Sequence, residues 1–485
     1  MKFILTPIAI LLFLSASTQT NADAQKRRQL VENNLSPQII YGDSLLHLNI
    51  QGQMAAYNIK GVSIAVIKDY KIDWAAGYGW ADAEEKRPVT TGTRFQAASI
   101  SKSLNSLGIL KLAELKKIDL DADINNYLKS WKFPYDSLSN NKKISVRNLL
   151  SHTAGLSVHG FGGYEVSDVL PTVIQILNGE KPANSPPIRS EFEPGKKFQY
   201  SGGGTTITQL LVTDLTGMRY EEYMKKNVLD PLGMSNSFFT QPPPAGTKNL
   251  ATGYYSGSGK PVKEKYHVYP EQAAAGLWTT PTDLAKYIIE TQLAWKGKSA
   301  KVLTSKTTHE RLTPYIDSEA ALGSFMIKKA DELWFSHNGG NEAFLCNSFG
   351  NLDNGNGVVI MINGDNFAII SEISNSVASV YGWKDFYKPV FRKKVVVPRD
   401  TLQAYSGNFL MVKDTLAFSF CGEELCVSQN GNPPNGYKLI FTSSRLAYIK
   451  EVPGVSITFM SNAAGKVDAV EVNEFGTKTR CVRIE

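Results

Sequence analysis

The hydrophobic pattern of the chain changes character once, near Trp383, and this break limits the folds open to it. Between Ser44 and Tyr381, apolar runs of strand length alternate with segments of helical period. Beyond Leu402 only short β-like runs remain, among them Leu416 to Phe420, Tyr437 to Phe441, Ala447 to Ile449 and Ser456 to Met460. Turns at Gly431 to Pro434 and Asn462 to Gly465 separate them. One hydrophobic core rarely organises more than roughly 250–300 residues, so a chain of 485 that switches pattern is expected to form two domains. The second reads as a small all-β barrel or sandwich over 400–485, joined through a Pro-containing and basic linker at 389–399.

The first domain, 25–388, reads as α+β. Gly61 to Ile67 and Ile72 to Tyr78 form a predicted hairpin. Helices are expected over Ser44 to Tyr57, Ser99 to about Lys117, Val146 to Ser151 behind the cap Ser145, Thr205 to Thr216, Tyr220 to Val228 and Thr282 to Trp295. Strands follow at Ser324 to Ile327, Leu333 to Ser336, Ala343 to Phe349 and Val358 to Ile362, then a helix from Phe367 to Tyr381. Strand pair, helical middle, strands and a closing helix predict one mixed sheet built from both ends of this domain.

Composition and charge narrow the function classes. With 42% hydrophobic and 20% charged residues the chain is globular. Its net charge of +7 is spread without a run of like charges, so a nucleic-acid partner is not expected. Lys2, the apolar stretch from Phe3 to Leu14 and the small residues through Ala22, Asp23 and Ala24 read as a secretory signal peptide over 1–24, predicting an exported, periplasmic or secreted protein. No later stretch is apolar for long enough to predict a transmembrane helix. Six His without paired-ligand spacing, and no Cys-x-x-Cys, predict no metal, and no cofactor motif is present. Cys421 and Cys426 have a spacing that can close a hairpin through a disulfide, although a chain of this size does not need one. Cys346 reads as a small buried hydrophobe.

Three pieces carry chemistry. Ser99 and Lys102 stand three apart at a helix start, so the amine can reach the hydroxyl, and the helix N-terminus favours developing negative charge. A second Ser-x-x-Lys, Ser139 to Lys142, lies in a polar loop and is a decoy. Tyr200, with Ser201, precedes the glycines 202 to 204, where a phenol near an ammonium can act as a base. The run Trp334 to Ser336 ends in His337, Asn338, Gly339 and Gly340, whose glycines let a substrate lie along a strand edge and meet a backbone NH. The alternatives are a helix cap, a turn tyrosine and a structural histidine.

Taken in this order, the pieces resemble the beta-lactamase-related serine hydrolases, a family that includes class C beta-lactamases, DD-carboxypeptidases, D-aminopeptidases and esterases. The resemblance includes Gly61 to Ile67, Thr93 to Lys102, Ser145 to Leu156, Phe192 to Gly204, Pro231 to Phe238, Ala274 to Leu284 and His337 to Phe344. It implies a beta-lactamase/transpeptidase-like domain: an antiparallel sheet flanked by helices, with an all-helical lobe. It further implies Ser99 as acylated nucleophile, Lys102 as base partner, Tyr200 as proton shuttle and His337 in the place of the family's third-motif Lys. The NH groups of Ser99 and Gly340 would form the oxyanion hole, and Ser201, Gly202, Asn338, Gly339 and Asn341 would contact substrate. His152 is expected to serve packing and turn formation.

Two departures bear on substrate. Gly202 stands where the family's beta-lactamases carry an Asn that contacts the substrate amide, and His337 lacks the permanent cation of Lys. Action on a D-amino-acid peptide, such as one derived from peptidoglycan, or on an ester is therefore expected over efficient beta-lactam hydrolysis, with Asn338 or Asn341 as replacement amides. The alternative is a catalytically silent binding or sensor protein. The C-terminal segment opening at Leu402, Tyr405, Ser406, Gly407 and Phe409 resembles the lipocalin-like β-domains appended to some members.

Overall fold

The computed structural model describes residues 22–450, 452, 454–474 and 476–484. The segment read as a signal peptide lies outside the described residues except for its last three. The chain divides into two compact units. One holds Leu48–Tyr387 with the chain up to Leu35, and the other Ser36–His47 with Lys388–Glu485.

Seven strands form the sheet of the first unit: β1 Gly61–Lys68, β2 Lys71–Asp82, β3 Arg87–Pro88, β4 Phe325–Lys329, β5 Glu332–Asn341, β6 Phe344–Asn351 and β7 Gly357–Ile362. Their order is β3-β2-β1-β7-β6-β5-β4. Every pairing is antiparallel, not mixed, and β1 from the start of the unit lies beside β7 from its end. β1 and β7 are mostly apolar, and all but Lys68 at the end of β1 is buried, because both faces are covered. Ala65, Ile67, Val359 and Met361 share a core with Leu284 and Ile288 of the helix Pro281–Trp295. Val62, Ile64, Val66, Val358, Ile360 and Ile362 pack with Ile369, Ile373 and Val377 of the helix Ala368–Val380.

Helix boundaries follow their caps. The helix expected from Ser44 begins only at Ile50, where Asn49 accepts Gly52 N at 2.7 Å. Ser145 and Asn148 form a reciprocal capping box around Val146–Leu150. The glycines 202 to 204, expected to precede a helix starting at Thr205, open it instead: Gly202–Thr216 starts at Ser201, whose hydroxyl accepts Gly204 N at 2.9 Å. The helix predicted over Tyr220 to Val228 changes at Lys225 into a wider turn, Lys225–Leu229.

In the second unit eight antiparallel strands, from Gly407–Met411 to Thr477–Ile484, close into a barrel, the first pairing with the last through Leu410 and Val482. Phe409, Phe418, Phe441 and Phe459 fill it, and Tyr405 stacks on Phe459 at 4.0 Å. Cys421 and Cys426 are disulfide-bonded across a hairpin, with Cα atoms 5.9 Å apart. The segment read as a linker, 389–399, contains the strand Val390–Arg392, which pairs in parallel with Ile39–Tyr41. Among the described residues no helix is long and apolar enough to cross a membrane.

Candidate active site

The nucleophile candidate sits at a sharp turn. Ala98 has φ 46°, a left-handed conformation that costs a non-glycine residue roughly 1–2 kcal/mol. A short 3-10 turn, Ala98–Ile100, then leads into the helix Ser101–Glu114, here α1. Ser99 is partly exposed and Lys102 buried. Lys102 Nζ lies 3.0 Å from Ser99 Oγ and donates to Ala274 O at 2.8 Å. The carbonyl orients the amine toward the hydroxyl. α1 is buried nearly all round, and its polar groups find partners inside. Ser103 Oγ, for example, donates to Gly323 O at 2.6 Å.

Tyr200 arrives from the loop before the helix Gly202–Thr216. The Lys102 Nζ is 5.0 Å from its ring centroid. His152 packs against the same ring at 4.3 Å and accepts the Ser201 NH through Nδ1 at 3.2 Å. Burial, then the positive Lys102, holds the His152 imidazole well below its ordinary pKa, so it stays neutral.

The third side comes from β5. His337 is buried, and its Nδ1, 2.6 Å from Asn338 O, must donate because a carbonyl only accepts. Nε2 is thus an acceptor, buried and without a hydrogen-bond partner among the described residues. Burial, Lys102 and more weakly Arg311 push the His337 pKa down to about 3. The ring is neutral at physiological pH, 6.4 Å from the Tyr200 ring centroid to centroid. Gly339 is required for close approach: a Cβ there would lie 2.4 Å from Ala97 O and 2.7 Å from Cys346 Sγ. Its packing seats β5 against the turn before Ser99, while Gly340, the next residue, is exposed.

Residues 46–369, more than half of the chain, match the family described as Beta-lactamase. The chain belongs to the beta-lactamase family, whose members are serine hydrolases related to penicillin-binding proteins. Protein flp of Staphylococcus aureus (strain N315) is 25% identical over 331 residues, covering 66% of this chain and 61% of that protein, so the match spans about three fifths of the relative. Penicillin-binding protein 4* of Bacillus subtilis (strain 168) is 26% identical over 166 residues, covering 33% of this chain and 34% of that protein. The octameric penicillin-binding protein homologue from Pyrococcus abyssi superposes with a TM-score of 0.62 at 21% identity, over 90% of this chain and 98% of that one, and shows the shared fold.

The structure brings Ser99, Lys102, Tyr200 and His337 together, with Gly340 alongside on β5. It treats the expected substrate contacts unequally. Ser201 is buried, and its hydroxyl caps the helix and donates to Ser157 O at 2.9 Å, so it serves the backbone and not a substrate. Gly339 is likewise a packing glycine. Gly202 is covered by Phe161. Asn341 Nδ2 is committed to Gln96 Oε1 at 2.7 Å and Ala275 O at 3.1 Å, which leaves no amide donor for the replacement role. Asn338 is exposed. Three contributors were missed in the sequence: Ala274 O, Cys346, whose thiol donates to Ala97 O at 3.2 Å, and Phe161. A backbone carbonyl carries no sequence signal, and the other two have none beyond the glycine-rich run around Phe161.

Proposed function

We propose that the chain is an exported serine hydrolase that forms an acyl-enzyme at Ser99 and acts on a D-amino-acid-containing peptide of cell-wall type or on an ester. The observation that carries this reading is the 3.0 Å contact between Lys102 Nζ and Ser99 Oγ, with the amine anchored on Ala274 O and facing the Tyr200 ring. Ser99 Oγ attacks the carbonyl carbon, and its proton passes through the Lys102–Tyr200 pair to the leaving amine or alkoxide as that bond breaks. The NH groups of Ser99 and Gly340 hold the oxyanion. Water then attacks the acyl-serine, giving one proton back to Ser99 Oγ by the same route.

The neutral His337 supports the choice of substrate. A ring whose pKa is held at about 3 offers no cation for a substrate carboxylate, which argues against efficient turnover of beta-lactams, or of peptides held by a terminal carboxylate, and for an ester or a D-amino-acid amide bond without one. Intact-mass measurement after incubation with a penicillin, an activated ester and a D-alanyl peptide tests both parts. The ester or peptide is expected to add its acyl group to the wild type and not to Ser99→Ala. An unmodified wild type with all three compounds would favour the silent-binder alternative.

A further inference from the structure

Gly202 stands two residues past Tyr200, and a side chain there would crowd its neighbours. A Cβ on it would lie 3.0 Å from Phe161 Cε2 and 3.3 Å from His159 O. The Phe161 ring fills the space that a side chain at 202 would take. It is fixed by the chain on both sides. His159 Nδ1 donates to Tyr200 O at 2.6 Å, Gly203 N donates to Val158 O at 2.9 Å, and Ser201 Oγ to Ser157 O at 2.9 Å. After the ring, His267 Nδ1 and Asn184 Nδ2 hold Gly162 O and Gly163 O at 2.9 and 2.8 Å. Phe161 remains partly exposed.

The ring lies beside the segment that carries Tyr200, since His159, two residues before it, is hydrogen-bonded to Tyr200 O. Asn105 Nδ2 donates to Thr208 Oγ1 at 2.9 Å, joining α1 to the helix Gly202–Thr216. At the same ends of these two helices Lys102 Nζ is 3.0 Å from Ser99 Oγ and 5.0 Å from the Tyr200 ring centroid. Phe161 thus takes the place of a side chain at 202, two residues past Tyr200. The nearby Asn341 amide cannot compensate, since both Gln96 and Ala275 occupy it.

We propose that Phe161 is the specificity-determining wall of the acyl subsite, selecting acyl groups with a flat or branched apolar face over short or amide-bearing ones. This rests on the serine-hydrolase reading. An amide pressed against the ring loses water without gaining a partner, whereas an aryl or branched alkyl group gains contact area. Differences of this size in a pocket change kcat/KM by about tenfold or more.

The test compares p-nitrophenyl phenylacetate, acetate and N-acetylglycinate, with kcat/KM and intact mass measured on each. Wild type is expected to prefer phenylacetate. Phe161→Ala should lower the phenylacetate-to-acetate ratio about tenfold while Ser99 is still acylated by acetate. Phe161→Leu, which keeps most of the packing, should lower it less and guards against misfolding of the smaller variant. Phe161→Ala/Gly202→Asn should shift selectivity toward N-acetylglycinate. An unchanged ratio in both single variants, with Ser99 still acylated, overturns this inference alone. Absence of any acylated wild type would remove the hydrolase reading and this inference with it.

Discussion

The two units bury very different things. The first encloses Lys102, His152, Glu271, Asp283, Glu290, Arg311, His337 and Glu372, whereas no polar or charged residue is buried among the described residues of 400–484. The barrel interior is apolar and largely aromatic. Burying a polar group costs free energy unless it is paired, and the first unit accepts even unpaired ones: both Glu271 oxygens and His337 Nε2 lack partners among the described residues. Stability is thus conceded where Lys102, Tyr200 and His337 must converge, and the barrel makes no such concession.

The largest test of this contrast is Ser99→Ala, expected to abolish the adduct and lower kcat by about 10³-fold or more, with little change in melting temperature. Equal turnover in this variant would remove the first unit's claim to the chemistry. In the barrel, Phe459→Ala should cost about 3–5 kcal/mol by calorimetry, because the ring is fully buried against Tyr405 and Phe418. The folded fraction should keep its kcat/KM within about twofold, and a larger drop would break the separation.

Glu271 and His337 make the stability of the first unit depend on pH in opposite directions, so that both acid and alkali weaken it. Burial pushes Glu271 up to about 8, so the folded state keeps a proton that the unfolded chain loses above its ordinary 4.5. Stability from this group falls as pH rises through that window. Glu271→Gln should raise the melting temperature by about 2–4 °C, more at pH 8 than at pH 5. His337 runs the other way: its folded pKa of about 3 is below the ordinary 6.5, so stability is present above pH 6.5 and lost as pH falls toward 3. His337→Asn should flatten the acid side of a melting curve, and an unchanged slope would show that the ring is charged. The smallest effect belongs to the barrel. Replacing Cys421 and Cys426 by Ser opens a short loop, costing about 2 kcal/mol or less, and should leave acylation of Ser99 untouched.

Much of this was legible in the chain. The hairpin β1–β2, the capped helix Val146–Leu150 and the pairing of Ser99 with Lys102 all depend on neighbours a few residues apart, where period and spacing are informative. β5 was expected to stop at Ser336 but runs to Asn341, because pairing with β6, His337 opposite Ser348 and Gly340 opposite Leu345, overrides the turn preference of its glycines. Ser201 was misjudged for a similar reason. Next to Tyr200 it resembles a substrate contact, yet the helix that starts at Gly202 takes its hydroxyl as a cap.

By itself, then, the sequence determined the two-part architecture and the order of the motifs, which rest on periodicity and local spacing, and through the resemblance those motifs carry it singled out Ser99 as the nucleophile candidate. Only the tertiary structure decided how the site is tuned. The carbonyl that aims Lys102 is 172 residues away in the chain, and the neutral state of His337 comes from burial beside Lys102 and Arg311. The ring over Gly202 belongs to a different loop. Electrostatics and close packing depend on distance in space, and a distance in space between remote residues exists only once the chain has folded.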